Sequence, residues 1–482
     1  MPLIEDGKMK IILADPPIIK NSAYKPNTYT PNLGILYLIS YLRNKFNNLE
    51  MKYLESFLSL KQHVKEVREY NPDIYCISFP TLLANAAYKT INIIKNESRS
   101  LPIICGGPHP TADPEDVFAN SKADICVIGE GEETLTELVA YYMNRGKHKQ
   151  LEDIKGIAYR KSDNVIYTQK RPLIKDLDSI PFPAWDVIDM KKYPGPTRLR
   201  AYPFRMVLVS RGCPYNCNFC SNPVWKTNKP WLRLRSPKNI AKEIELYYNR
   251  DGIREIQLLC DEFNVDLNWS IEVCNEIKRL GYDDLYFNTL LRVDKVTEEL
   301  AKALADINCW AVHIGIESGN QRTLDGINKK ITLEQVVNAC KILKKYNIRI
   351  FGFAMMLNIW EENGELCYES PDDVMRTLNF MRKLIRNKLI DYMSWGFVVP
   401  LPGAPLYDIC KKHGLISGDR RLDTWKWGGM PVKLPNIEEK IMQRIKRKGM
   451  FLQMWCNFRH IRDLNWRNYR YILGRIVYIF KK

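Results

Sequence analysis

The chain has 482 residues, enough for two or three domains of about 100–200 residues each. A hydrophobic share of 45% with 26% charged residues is ordinary for a globular protein and excludes disorder as the main story. The 72 lysines and arginines against 55 acids leave a formal charge of +17, and where that excess collects matters more than its total.

The thirteen cysteines are odd in number, and outside residues 213–220 they lie singly and mostly inside apolar runs, as at Cys76, Cys105 and Cys126. They read as reduced core thiols of a cytoplasmic protein rather than a disulfide framework. Met1 to Lys10 is too polar for a signal peptide, and no apolar run approaches the roughly 18 residues of a spanning helix. The expectation is a protein that is soluble, or peripheral at a membrane.

Lys10 to Asp15 reads as a first strand, broken by Pro16-Pro17, and a helix over Asn32 to Leu42 takes Asn32 as its N-cap. Strands then follow at Met51 to Glu55, Ile74 to Phe79, Pro102 to His109 and Ile125 to Gly129, with helices ending near Tyr70 and spanning Asn85 to Asn96. This alternation predicts an α/β domain with a doubly wound, Rossmann-like parallel sheet, whose ligands bind at the carboxyl ends of the strands. At those ends stand Ser78 to Thr81, Gly106-Gly107-Pro108-His109 and Gly129-Glu130-Gly131-Glu132. Glycine lets backbone approach a large ligand, but glycine alone does not separate a cradle from strand-end turns. No G-x-G-x-x-G follows the first strand, which counts against a dinucleotide.

Together, "PNLGILYLISYL", "ISFPT", "CGGPHPT" and "ADICVIGEGEETL" resemble the cobalamin-binding domain that precedes the catalytic domain of B12-dependent radical S-adenosylmethionine (SAM) enzymes. The resemblance covers nearly all of residues 10–140 and implies a corrin over the strand ends. Ser78, Thr81, Gly106, Gly107, His109, Gly129, Glu130, Gly131 and Glu132 are its implied cradle. No Asp-x-His-x-x-Gly pattern occurs, so a histidine lower ligand of the mutase type is not expected.

From Lys147 to about Arg200 the chain is rich in Lys, Asp and Pro, and Ile180 to Trp185 can continue neither a helix nor a central strand. This stretch reads as a linker with a small hairpin near Ile157 to Thr168, laying the first domain against the second.

The apolar run Met206 to Val209 reads as a buried strand and leads into Arg211-Gly212-Cys213-Pro214-Tyr215-Asn216-Cys217-Asn218-Phe219-Cys220. Cysteines at i, i+4 and i+7 on such a loop can turn three thiolates toward a common point. Iron–sulfur clusters usually take four cysteines, so three would leave one iron open for chemistry. Structural zinc asks for four ligands, commonly in paired short-spaced sets, and the chain has no second set of closely spaced cysteines. The loop resembles the CxxxCxΦC signature of the radical SAM superfamily, with Phe219 at the aromatic position. That resemblance implies a [4Fe-4S] cluster on Cys213, Cys217 and Cys220 whose open iron chelates SAM.

Beyond the loop, a helix begins at Ser236-Pro237 and another covers Asp266 to Leu280, with more from about Thr297, Thr332 and Pro371. Strands are expected at Glu255 to Leu259, Leu285 to Thr289, Ala311 to Ile316, Ile348 to Met356 and Tyr392 to Val399. Six parallel strands with outer helices fit a partial (β/α)6 barrel, whose functional residues collect at strand carboxyl ends. Asp261 and Glu262, Arg292 and Glu317 stand there. A zwitterion such as the methionine part of SAM needs a carboxylate and a guanidinium, although any one of these residues alone could be an ordinary loop charge. "GIESGN" with "INKKITLEQ" resembles the fourth-strand segment of the radical SAM branch that includes methylthiotransferases and B12-dependent enzymes, which implies SAM binding by Glu317, Arg292, Asp261 and Glu262 beside Phe219. Leu357 to Glu365 departs from the family's "GLPGET"-like turn and reads as an acidic, substrate-facing loop of its own kind; Leu401 to Tyr407 restores the pattern.

From Lys440 to Lys482 twelve Lys or Arg stand against one acid, Asp463, interleaved with Phe451, Trp455, Phe458, Trp466, Tyr469, Tyr471, Tyr478 and Phe480. Such a helical segment can pack on the barrel, lie on an anionic membrane, or bind RNA; nucleic acid is not the expected partner. The expected division is 1–146, cobalamin-binding domain; 147–200, linker; 201–415, radical SAM barrel; and 416–482, basic helical segment. The resemblance implies a cobalamin-dependent methyltransferase in which a 5′-deoxyadenosyl radical takes hydrogen from an unactivated carbon and methylcobalamin supplies the methyl group. It also implies an external electron donor of the flavodoxin or ferredoxin type. The substrate is small or lipid-like. The alternative is a family member that uses the corrin for cyclisation, ring contraction or lipid carbon–carbon bond formation.

Overall fold

The computed structural model describes residues 8–19, 29–144, 146, 150–162, 164–226, 229–416 and 432–468. The first sheet holds β1 (Met9–Ala14), β2 (Leu49–Leu54), β3 (Ile74–Ser78), β4 (Ile103–Gly106), β5 (Ile125–Val127), β6 (Ile157–Lys161) and β7 (Asn164–Tyr167), in the order β2-β1-β3-β4-β5-β6-β7. Its first five strands are parallel. Alternate side chains divide between two apolar cores, as strands covered on both faces require. Ile11, Leu13, Ile104 and Val127 pack toward α1 (Leu33–Lys45), while Ile12, Ile77, Ile103 and Cys105 pack toward α2 (Leu60–Tyr70) and α3 (Ala84–Glu97). Asn32 caps α1 as its sequence predicts, its side chain accepting from the Ile35 amide. The short α4 (Pro108–Ala112) and α5 (Pro114–Asn120) and the longer α6 (Gly131–Met143) complete this half.

One expectation is corrected. The hairpin near residues 157–168, read as part of a linker, is hydrogen-bonded into the first sheet: β6 runs antiparallel to β5, and β7 to β6. Strand β5 would otherwise leave an open edge that water or another chain must satisfy, and the hairpin covers it.

The linking segment that follows is a wedge. The Ala184 amide donates to Leu36 O (3.1 Å), the Trp185 indole donates to the Tyr247 hydroxyl (2.9 Å), and Arg205 lies 4.7 Å from the Trp185 ring centre. Ile180, Ala184 and Trp185 thereby join the apolar core of the first half to that of the second.

The second half is built on β8 (Phe204–Leu208), with β9 (Ser210–Arg211) and β10 (Arg233–Leu234) forming a two-stranded ribbon beside the cysteine loop. Then come α7 (Pro237–Asp251), β11 (Glu255–Leu259), α8 (Leu267–Arg279), β12 (Tyr286–Leu291), α9 (Glu298–Asp306) and β13 (Cys309–Glu317). The chain continues through α10 (Gln321–Gly326), α11 (Leu333–Lys345), β14 (Arg349–Met356), the hairpin β15 (Ile359–Glu362) and β16 (Glu365–Tyr368), α12 (Pro371–Arg386) and β17 (Tyr392–Phe397). Six strands pair in parallel in the order β17-β14-β13-β12-β11-β8, a partial barrel as expected. Side-chain oxygens of Ser236, Thr297, Thr332 and Ser370 cap the helices that begin after them.

After α13 (Pro405–Lys412), α14 (Glu439–Phe458) packs on α12 and β17 through Ile445, Leu452 and Cys456, with Gly449 seated against Trp395. No helix among the described residues is long and apolar enough to cross a membrane. The first seven residues, most of the span between α13 and residue 432, and Tyr469, Tyr471, Tyr478 and Phe480 lie outside the described residues.

Candidate active site

The three cysteines follow β9 on a loop whose path is set by Gly212. At φ 86° a side chain there would run into the Trp231 carbonyl, so only glycine lets the loop pass the segment that leads into β10. Cys213 and Cys217 are buried and Cys220 half-buried; none is disulfide-bonded. Asn218 anchors the loop: its amide donates to Ile327 O (3.0 Å), its side-chain nitrogen to Ile359 O (2.9 Å), and its carbonyl accepts from the Leu406 amide (2.8 Å). The stretch read as a substrate-facing loop is thus a hairpin whose first strand pins the cysteine loop. Burial pushes the Cys213 thiol up to about 12 and raises Cys217 and Cys220, opposed at Cys217 by Lys329 and Arg292. Thiols so placed ionise when a metal supplies the positive charge.

Among the described residues no three Cys, His, Asp or Glu converge as the ligands of one ion would. A cube with irons at separate corners makes a different demand, one cysteine to each iron. Two buried thiols and one half-buried thiol on one pinned loop fit that group.

Beside the loop, at the ends of β11, β12 and β13, lie the charged residues the sequence singled out. Glu317 occupies the left-handed region (φ 62°) at a bulge in β13, and its carboxylate meets Lys329 Nζ at 3.1 Å, both side chains buried. A Cβ at Gly315 would sit on that carboxylate and 2.8 Å from Nζ, so the glycine makes room for the pair. Arg292 is 2% exposed, lies 3.8 Å from the Tyr215 ring centre, pairs through Nε with Asp294 (2.7 Å) and donates to the carbonyls of Lys329 and Lys330. Its Nη1 and Glu262 Oε2 are buried without partners. Burial raises the Glu262 carboxyl to about 7, with Lys329 and Arg292 opposing. An unpartnered guanidinium nitrogen and an unpartnered carboxylate oxygen are complementary to the carboxylate and ammonium of a zwitterion, which fits SAM. Lys329 is also 5.9 Å from the Phe219 ring centre. Asp261 is exposed and turns instead to the cavity described next.

A cavity of about 490 Å³ lies between the first sheet and the barrel. Ser78, Gly106, Gly107, Gly129, Glu130, Gly131 and Glu132 line it from one side, and Leu208, Ser210, Arg211, Gly212, Cys260 and Asp261 from the other. A Cβ added at Gly106 or Gly129 would meet no protein atom, so these positions leave room for a broad ligand, which fits a corrin. Thr81 and His109 do not line it. They are buried beneath, where His109 contacts the Tyr88 hydroxyl (2.7 Å), Thr81 Oγ1 (3.2 Å) and Asp116 (3.2 Å). Glu130 and Glu132 turn to the barrel: Arg211 donates to both (2.8 and 2.5 Å) and Arg233 to Glu130 (2.8 Å).

Lys329, Arg211, Arg233 and Tyr215 were not singled out in the sequence. Lys329 is buried and Lys330 exposed, yet the two are adjacent and alike; only the path of the chain separates them. Inside the barrel, Val312, Ile314, Ile350 and Ala354 pack toward the helices, which leaves His313, Phe351 and Phe353 on the inner side. The His313 ring stacks on Phe351 (4.5 Å) and Phe353 (5.7 Å), and Phe353 remains 38% exposed.

Comparison with known proteins agrees with this fold. Residues 23–139 match the B12 binding domain and residues 207–365 the radical SAM superfamily. An uncharacterized methyltransferase of Pyrococcus horikoshii is 32% identical over 409 residues, covering 85% of this chain and 84% of the relative. The anaerobic magnesium-protoporphyrin IX monomethyl ester cyclase of Cereibacter sphaeroides is 26% identical over 407 residues, covering 83% of this chain and 63% of the relative. The solved structure of the radical SAM methyltransferase TsrM from Kitasatospora setae, with cobalamin and a [4Fe-4S] cluster bound, has the same fold: TM-score 0.66, 16% identity, 85% of this chain and 76% of that one. The chain belongs to the cobalamin-dependent radical SAM enzymes, is methyltransferase-like among them, and takes a [4Fe-4S] cluster, SAM and cobalamin as its cofactors.

Proposed function

We propose that this enzyme transfers a methyl group to an unactivated carbon of a small-molecule or lipid-like substrate. The observation that carries the reading is the cavity shared by the two halves: a ligand on the glycine-edged strand ends faces Arg211, Gly212 and Asp261, next to the cysteine loop. When bound, the cofactors supply hydrogen abstraction by a 5′-deoxyadenosyl radical and a methyl group from methylcobalamin. Cys213, Cys217 and Cys220 hold the cluster. Arg292 grips the carboxylate of SAM through its open Nη1, Glu262 takes the ammonium, and Glu317, kept in place by Lys329, completes the pocket with Phe219, while Asp261 faces the neighbouring cavity. Ser78, Gly106, Gly107, Gly129, Glu130, Gly131 and Glu132 edge the corrin, with Thr81 and His109 bracing the floor. The aromatic inner wall at Phe351 and Phe353 excludes water, which a primary radical requires.

The division that follows is 1–167, hairpin included, as the cobalamin domain, 168–200 as linker, 201–415 as barrel and 416–482 as the basic segment. The partners are an external electron donor of flavodoxin or ferredoxin type and, through residues 440–482, the surface of a membrane.

Anaerobic incubation of the reconstituted enzyme with methyl-labelled SAM and candidate substrates tests the reaction. Label in product is expected; 5′-deoxyadenosine with unlabelled product would overturn methyl transfer. That second outcome would favour a non-methylating reaction, a reading supported by the likeness to the anaerobic cyclase.

A further inference from the structure

We infer that one stripe of α14 is the seat by which this enzyme rests on an anionic lipid surface. The inference rests on the membrane reading of the basic segment and deepens it by naming the face. Ile445, Gly449, Leu452 and Cys456 are the side that packs on the barrel. Lys440, Arg444, Arg447, Phe451, Trp455 and Phe458 recur every three or four residues and are all exposed, so they share one line along the other side. Phe451 is 72% exposed, Phe458 47% and Trp455 39%.

Two features of this stripe point to one occupant. Its first half is cationic and its second half aromatic, and it contains no acid. Rings that only needed burial would have turned toward Trp395, where the helix already packs; exposed in a row, they are ready to enter an interface whose headgroups meet the cations. Trp466, 60% exposed, and Arg467 follow the helix with the same pairing of aromatic and cation. The partner that complements both halves is a bilayer with negatively charged headgroups.

Flotation of the full-length enzyme with phosphatidylcholine vesicles, alone or mixed equally with phosphatidylglycerol, tests the seat. The wild type is expected to float with the mixed vesicles only, with a steep loss in high salt. The F451S/W455S/F458S variant should bind at least ten-fold more weakly, and R444Q or R447Q about five-fold each. If the wild type does not float, the membrane reading fails together with this inference. If it floats and the triple variant floats equally well, the seat alone is wrong. A triple variant that floats normally but loses self-association in sedimentation velocity would make the stripe a surface between copies and overturn the proposal. Brominated lipid should quench wild-type tryptophan fluorescence more than that of W455F, a contrast that does not depend on the triple variant folding. All variants should retain methyl-label incorporation with a water-soluble substrate, which separates failure of the seat from failure of the reaction.

Discussion

Asn457 bonds both backbone groups of Met393: its side-chain oxygen accepts from the Met393 amide (2.8 Å) and its side-chain nitrogen donates to the Met393 carbonyl (3.1 Å). Met393 lies on β17, the last strand of an open barrel, and a helix side chain there does the work of the missing neighbour. Cys456 Sγ on Asp391 O and the Tyr392 hydroxyl on Asp463 extend the same closure. Asn457→Ala is expected to destabilise the enzyme by about 1–3 kcal/mol, since both backbone groups lose their partner. Thermal and urea unfolding would check this, and an unchanged midpoint would show that water substitutes at no cost.

Removing the amine of Lys329 should hurt more than removing an exposed lysine. In Lys329→Gln the Glu317 carboxylate stays buried without its cation, a loss of about 3–5 kcal/mol if the site cannot relax. SAM affinity measured by equilibrium dialysis should fall at least ten-fold, whereas Lys330→Gln, at the exposed neighbour, should leave it unchanged. Equal effects of the two would remove Lys329 from the site.

Gly106→Val would place two methyls in the open side of the cavity without backbone strain, because Gly106 has no positive φ. Corrin absorbance after gel filtration should drop at least ten-fold while iron and sulfide content stay at wild-type levels. Loss of both, or of neither, would contradict a corrin over the strand ends.

His63 sets an acid limit on the first domain. It is buried with Nε2 2.8 Å from the Tyr75 hydroxyl, and burial lowers it to about 4 from the ordinary 6.5. The unfolded chain therefore takes up this proton first as pH falls. Its contribution is complete above pH 6.5 and is lost between 6.5 and about 4, to a total of about 3 kcal/mol. His63→Gln should flatten that part of the stability profile, measured as urea midpoints across the window; an unaltered slope would assign the acid sensitivity elsewhere.

How much of this was legible follows the range of the contacts involved. Cysteine spacing, helix caps at Asn32 and Ser236, and the alternation of strand and helix concern neighbours within a turn or two, where the order of residues sets which side chains meet. Local composition could not show that residues 157–167 finish the first sheet, because the edge they cover is made by β5, some thirty residues earlier. Nor could it show that Ile359 pins Asn218, 141 positions away.

What the amino-acid order by itself determined is local: a three-cysteine loop that resembles a cluster-binding signature, and glycine-edged strand ends that resemble a corrin cradle. The tertiary structure decided which charges serve that chemistry. It chose Lys329 over Lys330 as the partner of Glu317, turned Glu130 and Glu132 toward Arg211 and Arg233, and set Phe451, Trp455 and Phe458 in the open. The reason is physical: a charge is unpaired, paired or buried only relative to what the folded chain brings within a few ångströms of it, and that distance is not a property of sequence separation.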